Sequence, residues 1–255
     1  MVNNNRIFPA IIIVAYITIF YFLKLDLIFL ISLLFFMNYD LYKSKLLAFN
    51  KLLFVSFFFF VSIYLNNITD FSLNFFIAIL FVLFLFSFFV IQKYKKIIFI
   101  ILLYLIFFQL HLLLGIDRSI VFLIILISFI NDTSAYIFGN FFKGPLILPN
   151  ISPKKTYAGL FGGLFGSIIF IILCDNYFLN GFSEFSLNNT DKIFLVFVFN
   201  IIGFFGDSFE SLIKRKANIK DSSSLLLGHG GMLDRLDSLI LTTPATMFYV
   251  IAYYL

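Results

Sequence analysis

Cysteine is nearly absent from this chain of 255 residues, which contains Cys174 alone. A single cysteine excludes an internal disulfide and a thiolate metal site, and its apolar surroundings indicate a small packing residue. Tryptophan is absent altogether, so any aromatic belt at a membrane interface must consist of Tyr and Phe. Charged residues make up only 12% of the chain, whereas hydrophobic residues make up 62% and the mean hydropathy is +1.07. This scarcity of charge excludes a soluble globular domain and indicates a helical protein that crosses a membrane several times.

Apolar stretches suited to membrane helices recur along the whole chain. A span needs about 20 apolar residues, fewer where helices are short, and this requirement identifies about nine segments. They are approximately Ile7–Leu23, Leu27–Tyr39, Leu52–Leu65, Phe71–Ile91, Ile97–Leu114, Ser119–Gly139, Tyr157–Cys174, Ile193–Gly206 and Leu236–Leu255. The first ends at Lys24 rather than at a small-residue cleavage site, so we interpret it as an uncleaved helix and not a signal peptide. The predicted fold class is all-α, a polytopic integral membrane protein with about nine transmembrane helices.

The basic residues lie in alternate connections between these spans. Lysine and arginine cluster around residues 43–51, 93–96, 143–155 and 214–220, whereas the connections 66–70, 115–118 and 175–192 have few or none. This alternation follows the positive-inside rule for a bacterial inner membrane. We therefore expect the N-terminus and the polar loops 140–156 and 207–235 in the cytoplasm, and the C-terminus outside. The formal net charge of +5 is spread over these loops, so nothing resembles a nucleic-acid-binding patch.

Four glycines lie close together in the span that begins at Tyr157, and we call them the glycine stripe: Gly159, Gly162, Gly163 and Gly166. They form two interleaved GxxxG pairs, and small residues at this spacing let helix backbones approach closely. We favour this packing role over direct contact with a ligand.

The first polar motif, NDTSAY at residues 131–136, lies near the cytoplasmic end of the sixth predicted span. One interpretation is a polar helix end that caps itself or faces water. However, Asn131 and Asp132 within an otherwise apolar span are more typical of side chains that face a protein interior. We therefore favour a functional role for this motif.

The second polar motif, Ser152–Tyr157, precedes the glycine stripe. Ser152 before Pro153 is typical of a helix N-cap with proline at the first helical position. A helix N-terminus beside Lys154 and Lys155 would attract an anion. Alone, two lysines in a cytoplasmic loop indicate only topology, so the functional interpretation of this motif depends on the third.

The third polar motif, residues 206–237, concentrates acidic and basic side chains between two apolar segments. Charged residues at helical spacing share a face in two places: Asp207 with Glu210 and Lys214, and Asp234 with Asp237. Carboxylates from two separate helix ends, brought together, would bind Mg²⁺ through hard oxygen ligands. The phosphates of a substrate would fill the remaining coordination positions.

The basic residues and glycines of the third motif suit phosphates. The run Gly228-His229-Gly230-Gly231 supplies flexible backbone whose N–H groups can point at a phosphate. The cations would otherwise repel one another and therefore require an anionic partner, although surface salt bridges would absorb some of them: Lys214, Arg215, Lys220 and Arg235. A purely solvated charged loop is the simpler alternative. The density of charge at a helix boundary disfavours it.

No serine–histidine or cysteine–histidine pair accompanies these charges, which disfavours a covalent nucleophile. We assign His229 to phosphate contact or loop structure before general base catalysis, because it lacks an obvious companion. The residues alone thus predict a metal-dependent site for phosphorylated substrates on the cytoplasmic face. Residues 1–115 are predicted to form the N-terminal transmembrane helices, and residues 116–255 the catalytic region, within one continuous membrane domain.

The C-terminal half also resembles a known family. The runs Ser211–Arg215, Lys220-Asp221 and Gly228–Asp237 are similar to the signature of phosphatidate cytidylyltransferases, also called CDP-diacylglycerol synthases. Residues 132–139 and 152–156 match the upstream elements of that family in the expected order, and the combined pattern is highly specific. Leu227 departs from it, because the family usually has proline before the Gly-His-Gly-Gly run, and this difference bears on the rigidity of the loop.

This resemblance implies a nucleotidyltransferase of phospholipid biosynthesis that converts CTP and phosphatidate into CDP-diacylglycerol and pyrophosphate. It implies Mg²⁺ held by Asp207, Asp234 and Asp237, with K⁺ as the candidate second cation. The implied catalytic residues are Asp207, Asp234, Lys214, Arg215, Lys220, Asp221, His229 and Arg235. The implied substrate-binding residues are Asn131, Asp132, Ser152, Lys154, Lys155, Gly228, Gly230 and Gly231.

Within these sets, the expected roles differ. The basic residues would bind phosphates, Asp221 would orient a basic neighbour, and Asn131, Asp132 and Ser152 are candidates for recognising cytosine. The lipid bilayer is the expected environment, and no nucleic acid is an expected partner. The resemblance also suggests a homodimer, for which the glycine-lined span could serve.

Two other functions remain open. A CTP-dependent polyprenol or phytol kinase of the same superfamily would transfer the γ-phosphoryl group to an alcohol, but the Gly228–Asp237 run favours the cytidylyltransferase. A membrane transporter would need discontinuous helices in corresponding halves of the chain, and no such pair is evident. An inactive scaffold is disfavoured because the whole set of acidic and basic residues is present.

Overall fold

A computed structural model describes residues 7–45, 56, 95–149, 152–174, 188–216, 218–219, 221–223 and 230–254. Within these residues the helices are α1 (Ile7–Leu23), α2 (Asp26–Lys43), α3 (Lys95–Ile116), α4 (Arg118–Phe142), α5 (Tyr157–Cys174), α6 (Asn189–Phe197), α7 (Gly203–Lys216), α8 (Leu233–Leu236) and α9 (Leu239–Tyr254). A π-helical segment, Val198–Ile202, joins α6 to α7. Two strands, β1 (Leu146–Leu148) and β2 (Ser152–Thr156), lie between α4 and α5.

Helices of the predicted kind occupy the predicted positions wherever the structure describes them. The first and seventh predicted spans coincide with α1 and α5. Three helices of the described part are long and apolar enough to cross a membrane, namely Arg118–Phe142, Asn189–Lys216 and Leu233–Tyr253. Shorter apolar helices cover Ile12–Leu23, Leu103–Ile116 and Tyr157–Leu173. The third and fourth predicted spans lie outside the described residues, so the number of spans stays a prediction.

The predicted end of the eighth span differs most from the structure. The eighth span was expected to end at Gly206, but the helix continues without a break to Lys216. The expectation relied on hydropathy, which falls where the acidic residues begin. The helix continues because its polar side chains are paired, as Glu210 is with Lys214 one turn later, and such a pair supports a helix.

A small hairpin interrupts the all-helical pattern. Strands β1 and β2 pair antiparallel, with Leu146 opposite Thr156 and Leu148 opposite Ser152. Ser152 therefore lies in a strand, and its prediction as a helix N-cap is wrong. The cap of α5 is Thr156, whose hydroxyl accepts a hydrogen bond from the Gly159 amide at 3.1 Å, the contact expected between an N-cap and the third helical residue.

The glycine stripe packs α5 against α4. A Cβ atom added at Gly162 would overlap the Phe138 side chain, and one added at Gly166 would overlap the Ser134 side chain. These positions favour glycine because side chains of α4 already lie directly against the α5 backbone there. The packing interpretation of the stripe is confirmed. The glycine face is covered by α4 within the chain, and a homodimer formed through the glycine-lined span stays a prediction.

Apolar side chains fill the interior and also cover outward faces of the helices. Phe29, Phe107 and Phe199 are among the largest fully buried side chains. Phe161 and Phe165 of α5 are exposed. A helix that is apolar both inside and outside is typical of a membrane span, and the structure thus agrees with the composition.

The described helices meet at two opposite ends. At one end, Arg118 at the start of α4 donates to Asp26 at 2.9 Å and lies over the Tyr21 ring at 4.7 Å. At the other end lie the hairpin, the end of α7 and the segment before α8. The turns α1–α2 and α3–α4 thus share one end, as the alternation of basic loops predicts. Which end faces the cytoplasm stays a prediction.

Candidate active site

A polar cavity of about 410 Å³ lies between α4, the hairpin, α7 and the segment around α8. Thirteen of the predicted site residues line it: Asn131, Asp132, Ser152, Lys154, Lys155, Asp207, Lys214, Arg215, Asp221, Gly230, Asp234, Arg235 and Asp237. Lys220, Gly228 and His229 lie outside the described residues. The three polar motifs, far apart in sequence, therefore converge on one cavity, as the sequence predicts.

Carboxylates from three separate segments face this cavity. Asp132 comes from α4, Asp207 from α7, and Asp237 from the residue after α8. They lie close enough to repel one another electrostatically. Converging carboxylates are unfavourable unless cations neutralise them, so this arrangement suits a positively charged partner.

Lys155 supplies one cation within the cavity. Its ammonium lies 2.8 Å from Asp207 and donates to the Ser208 hydroxyl at 2.9 Å and to the Phe204 carbonyl at 3.2 Å. It also lies 4.4 Å from the centre of the Phe204 ring. These contacts tie the hairpin to α7 and place the second polar motif beside the first acid of the third.

Lys214 is less accessible than the sequence suggested. Its ammonium lies 2.6 Å from Glu210 and 2.6 Å from Asp234, and the residue is only 7% exposed. Glu210 is completely buried. Lys214 therefore neutralises two acids in this structure, and its expected contact with a phosphate stays a prediction. Glu210 was visible in the sequence through its spacing from Lys214, but nothing there showed that it would be buried.

Asp234 organises the backbone around it as well as facing the cavity. One oxygen accepts from Lys214, and the other accepts from the Ser222 hydroxyl at 2.9 Å, the Ser222 amide at 3.0 Å and the Gly231 amide at 2.7 Å. Asp237 accepts from the Ser238 amide at 2.7 Å. The oxygens of Asp207 and Asp237 therefore have fewer protein donors than those of Asp234.

The two described glycines of the third motif play different parts. Gly230 lines the cavity and has φ of +81°, a conformation that favours glycine. Gly231 does not line the cavity, and its amide donates to Asp234. A carboxylate accepts the hydrogen of this amide in the structure, and the expectation that the amide points at a phosphate stays a prediction.

Exposed cations lie at the mouth of the cavity. Lys154 and Arg215 both line it and are exposed, and Arg235 lines it from α8. The exposed acid Asp221 accompanies them. Cations that reach solvent beside a polar cavity can bind the phosphates of an incoming nucleotide.

The side chain of Asn131 forms hydrogen bonds to neighbouring helical segments. It is 8% exposed, donates to the Phe199 carbonyl at 2.7 Å, and accepts from Asn200 at 3.4 Å. Asn200 also donates to the Leu160 carbonyl at 2.9 Å. These contacts link α4 and α5 to the π-helical segment, so they favour a structural role for Asn131 over recognition of a base. Sequence reasoning missed Asn200, although a lone polar residue in an apolar span was its signal.

Asp40 is the other site residue that sequence reasoning missed. It lies near the end of α2 and is completely buried. Its carboxylate accepts hydrogen bonds from Ser223 and Leu233, on either side of the glycine run. The signal was a lone acid at the end of an apolar segment in the N-terminal half, where no motif drew attention.

The donor chemistry of the cavity fits Mg²⁺. Within the described residues, no group of three histidine, cysteine or acidic side chains forms a metal centre alone. Mg²⁺ does not need one, because it is usually held by one or two carboxylates, with substrate phosphates and water completing the octahedron. The acids of the cavity supply such oxygens beside cations suited to phosphates.

Comparison with known proteins agrees with this site. The family model described as the cytidylyltransferase family matches residues 4–253. The phosphatidate cytidylyltransferase of Rickettsia felis is 38% identical over 135 residues, which cover 52% of this chain and 59% of that protein. The enzyme of the same name from Staphylococcus aureus is 40% identical over 119 residues, which cover 47% of this chain and 44% of the relative.

A plant protein shows the same similarity. Phosphatidate cytidylyltransferase 5, chloroplastic, of Arabidopsis thaliana is 42% identical over 135 residues, which cover 49% of this chain and 31% of the relative. Each of these matches spans less than two thirds of the relative's own length. The family match, by contrast, extends over nearly the whole chain, and on that ground the protein belongs to the cytidylyltransferase family.

Proposed function

We propose that this protein transfers a cytidylyl group from CTP to phosphatidate and releases CDP-diacylglycerol and pyrophosphate. The observation that carries this proposal is the single cavity in which Asp132, Asp207 and Asp237 meet Lys155 and Arg235. The names of the relatives support the choice of substrates. Membership of the family supports the choice of nucleotide.

The proposed chemistry needs no base. An oxygen of the phosphatidate phosphate attacks the α-phosphorus of CTP, and the bond from that phosphorus to the bridging oxygen of pyrophosphate breaks. The nucleophile is already anionic, so no proton has to be removed. The barrier is mainly electrostatic, because two anions approach each other while charge accumulates on the leaving group. Positioning and neutralisation of charge are therefore the main tasks of the protein.

Mg²⁺ is the proposed cofactor, and Asp207, Asp234 and Asp237 are its proposed ligands. When bound, the ion would neutralise phosphate charge and orient the reacting groups. Asp207 and Asp237 have the more available oxygens, whereas Asp234 also anchors the loop. K⁺ is the proposed second cation.

The proposed roles of the basic residues differ with the accessibility of each side chain. Lys154, Arg215 and Arg235 would bind the triphosphate from the mouth of the cavity, together with Lys220. Lys155 is held against Asp207 and would orient that carboxylate. Lys214 would hold Asp234 and Glu210 in place, because its ammonium bridges them at 2.6 Å.

We place the cavity at the level of lipid headgroups on the cytoplasmic side of a bacterial inner membrane, with the N-terminus in the cytoplasm. The acyl chains of phosphatidate would stay in the bilayer while its phosphate enters between helices. The apolar outer face of α5, next to the hairpin, supports such an entrance. A homodimer is the proposed assembly.

Two labelled forms of CTP test the reaction. Purified protein is given phosphatidate with CTP labelled on either the α- or the γ-phosphate, and a polyprenol serves as the competing acceptor. We expect the α-label to enter the lipid and the γ-label to appear in pyrophosphate. Transfer of the γ-label to polyprenol, with release of CDP, would instead identify a kinase. A reaction mixture without lipid serves as the control for simple hydrolysis.

A further inference from the structure

A carboxylate of the N-terminal half reaches the site region from an unexpected direction. Asp40 belongs to α2, far in sequence from all three polar motifs, and none of its surface is exposed. Burying an acid is costly unless hydrogen bonds or a counter-ion compensate it. The hydrogen-bond partners of Asp40 therefore indicate why an acid is buried at this position.

Asp40 accepts hydrogen bonds from both sides of the glycine run. One oxygen accepts from the Ser223 hydroxyl at 2.6 Å. The other accepts from the Leu233 amide at 2.8 Å and, at 3.4 Å, from the Ser222 hydroxyl. A single side chain thus joins residues 222–223, before the run, to residue 233, after it.

The same contacts extend to Asp234. The Ser222 hydroxyl, which reaches Asp40, also lies 2.9 Å from Asp234. A Cβ atom added at Gly231 would overlap both Asp40 and Ser222, so glycine is required there. We call this group the loop clasp: Asp40, Ser222, Ser223, Gly231, Leu233 and Asp234.

The loop clasp connects in turn to the ion pairs of α7. Asp234 receives the Lys214 ammonium at 2.6 Å, and the same ammonium contacts Glu210. A continuous set of polar contacts therefore runs from α2 through the loop to α7. Buried polar contacts of this kind favour one arrangement of the elements that they join.

We propose that Asp40 is a positioning residue that fixes both ends of the segment between Ser223 and Leu233. This holds Asp234, Arg235 and Asp237 at the cavity, and its catalytic consequence rests on the proposed function. Asp40 is not among the residues that line the cavity. It acts on them through the clasp, because Ser222, Gly231 and Leu233 belong to the same backbone segments as the cavity-lining residues. The N-terminal helices are thus part of the site, and not only its membrane anchor.

The test compares two identical substitutions on one helix, made in the full-length protein. Asp40→Asn removes the carboxylate of the clasp, whereas Asp26→Asn removes the carboxylate that pairs with Arg118 at the opposite end of α2. Hydrogen exchange is followed by mass spectrometry in segments 221–237 and 103–116. Steady-state kinetics with Mg²⁺, CTP and phosphatidate are measured alongside.

We expect Asp40→Asn to speed exchange in segment 221–237 by about tenfold, the change that loss of one hydrogen bond to a charged group produces. Exchange in segment 103–116 stays as in the unsubstituted protein. The KM for CTP rises by roughly fivefold, because displaced phosphate-binding groups weaken substrate binding. Partial unfolding alone would lower the apparent kcat without changing KM. Asp26→Asn should neither speed exchange in segment 221–237 nor raise the KM for CTP.

Ser223→Ala provides a milder variant if Asp40→Asn does not fold, and we expect the same pattern at smaller size. Exchange in segment 221–237 that stays unchanged in both variants would overturn the clasp, whatever the enzyme does. Faster exchange with an unchanged KM for CTP would overturn its role in positioning. Absence of CDP-lipid formation by the unsubstituted protein would refute the proposed function instead, and the exchange data would still decide on the clasp.

Discussion

The ammonium of Lys214 lies between two carboxylates, and this contact shows how single residues shape the site. Glu210 is fully buried with the Lys214 ammonium 2.6 Å away, and removal of either partner would leave the other buried without its counterpart. Asp234, on the other side of the ammonium, is held at the same distance. The cavity is therefore lined by two kinds of cation: Lys214 is paired with two acids, whereas Lys154 and Arg215 are exposed.

Substitution of Asp207 tests the proposed metal site at this scale. We expect Asp207→Asn to lower turnover by roughly a hundredfold or more, because a bound metal ion supplies several kcal/mol of charge stabilisation. The Mg²⁺ concentration needed for half-maximal rate should rise as well, because a ligand has lost its charge. Initial rates measured over a series of Mg²⁺ concentrations check both effects. Asp26→Asn, at the opposite end of the molecule, is the matched control.

The dependence of the rate on Mg²⁺ concentration distinguishes two roles of Asp207, as a metal ligand or only as a partner of Lys155. If Asp207 served only to hold that lysine, turnover would fall while the dependence on Mg²⁺ stayed as it is in the unsubstituted protein. An unchanged dependence would therefore remove Asp207 from the metal site.

At the scale of elements, the long helix Asn189–Lys216 joins an apolar half to a polar half. The π-helical segment lies at the join, where Asn200 contacts Asn131 and the Leu160 carbonyl. Such segments are rare and often occur at functional sites. The close contact of α4 with α5 places Asp132 and the hairpin beside the polar half of this helix, so helix packing shapes the cavity.

Gly162 tests the contact between α4 and α5. Gly162→Ala would force a methyl group into the Phe138 side chain near its backbone, and we expect a loss of about 1–3 kcal/mol of stability from overpacking. Thermal unfolding in detergent measures it. Gly115→Ala is the control, because a Cβ atom there meets nothing within 4 Å. Equal stability of the two variants would contradict the packing interpretation.

At the scale of the whole molecule, the described helices separate two chemically different ends. One end holds the pair of Arg118 with Asp26, and the other holds the cavity and the loop clasp. The proposed reaction between a soluble nucleotide and a lipid would need such an arrangement, because a charged site must lie near water while the helices remain in the bilayer.

Single cysteines test the orientation of these ends. In a Cys174→Ser background, Leu25→Cys introduces a thiol in the turn between α1 and α2, and Leu146→Cys introduces one in the hairpin. Both native side chains are exposed. We expect a membrane-impermeant maleimide to label the first variant on intact cells and the second only after lysis, following the positive-inside rule. The background protein without an added cysteine should remain unlabelled.

The reverse pattern would overturn the proposed orientation of the membrane domain. Labelling of both variants from the same side would instead contradict the separation of the two ends across a membrane.

Much of the architecture was predictable because the relevant signals are local. Hydropathy located α1 and α5 to the residue, since a membrane span depends on its own apolar length. Helical spacing drew attention to Asp207, Asp234 and Asp237, which line the cavity, and the glycine stripe predicted close helix packing. The cap of α5 and the hairpin before it were harder to predict, because Ser152 and Thr156 both suit a helix cap and only the pairing with β1 selects between them.

Sequence by itself determined the class of the protein, the positions of its described helices and the chemistry of its motifs, since each depends on neighbouring residues. Only the tertiary structure decided which groups meet. Asp40 lies 183 residues from Ser223 in the chain, and no local pattern can report a contact over that separation. Two further features could be learned only from the tertiary structure: the burial of Glu210, and the position of Asp234, which both binds the loop and faces the cavity. Both depend on how distant helices pack together.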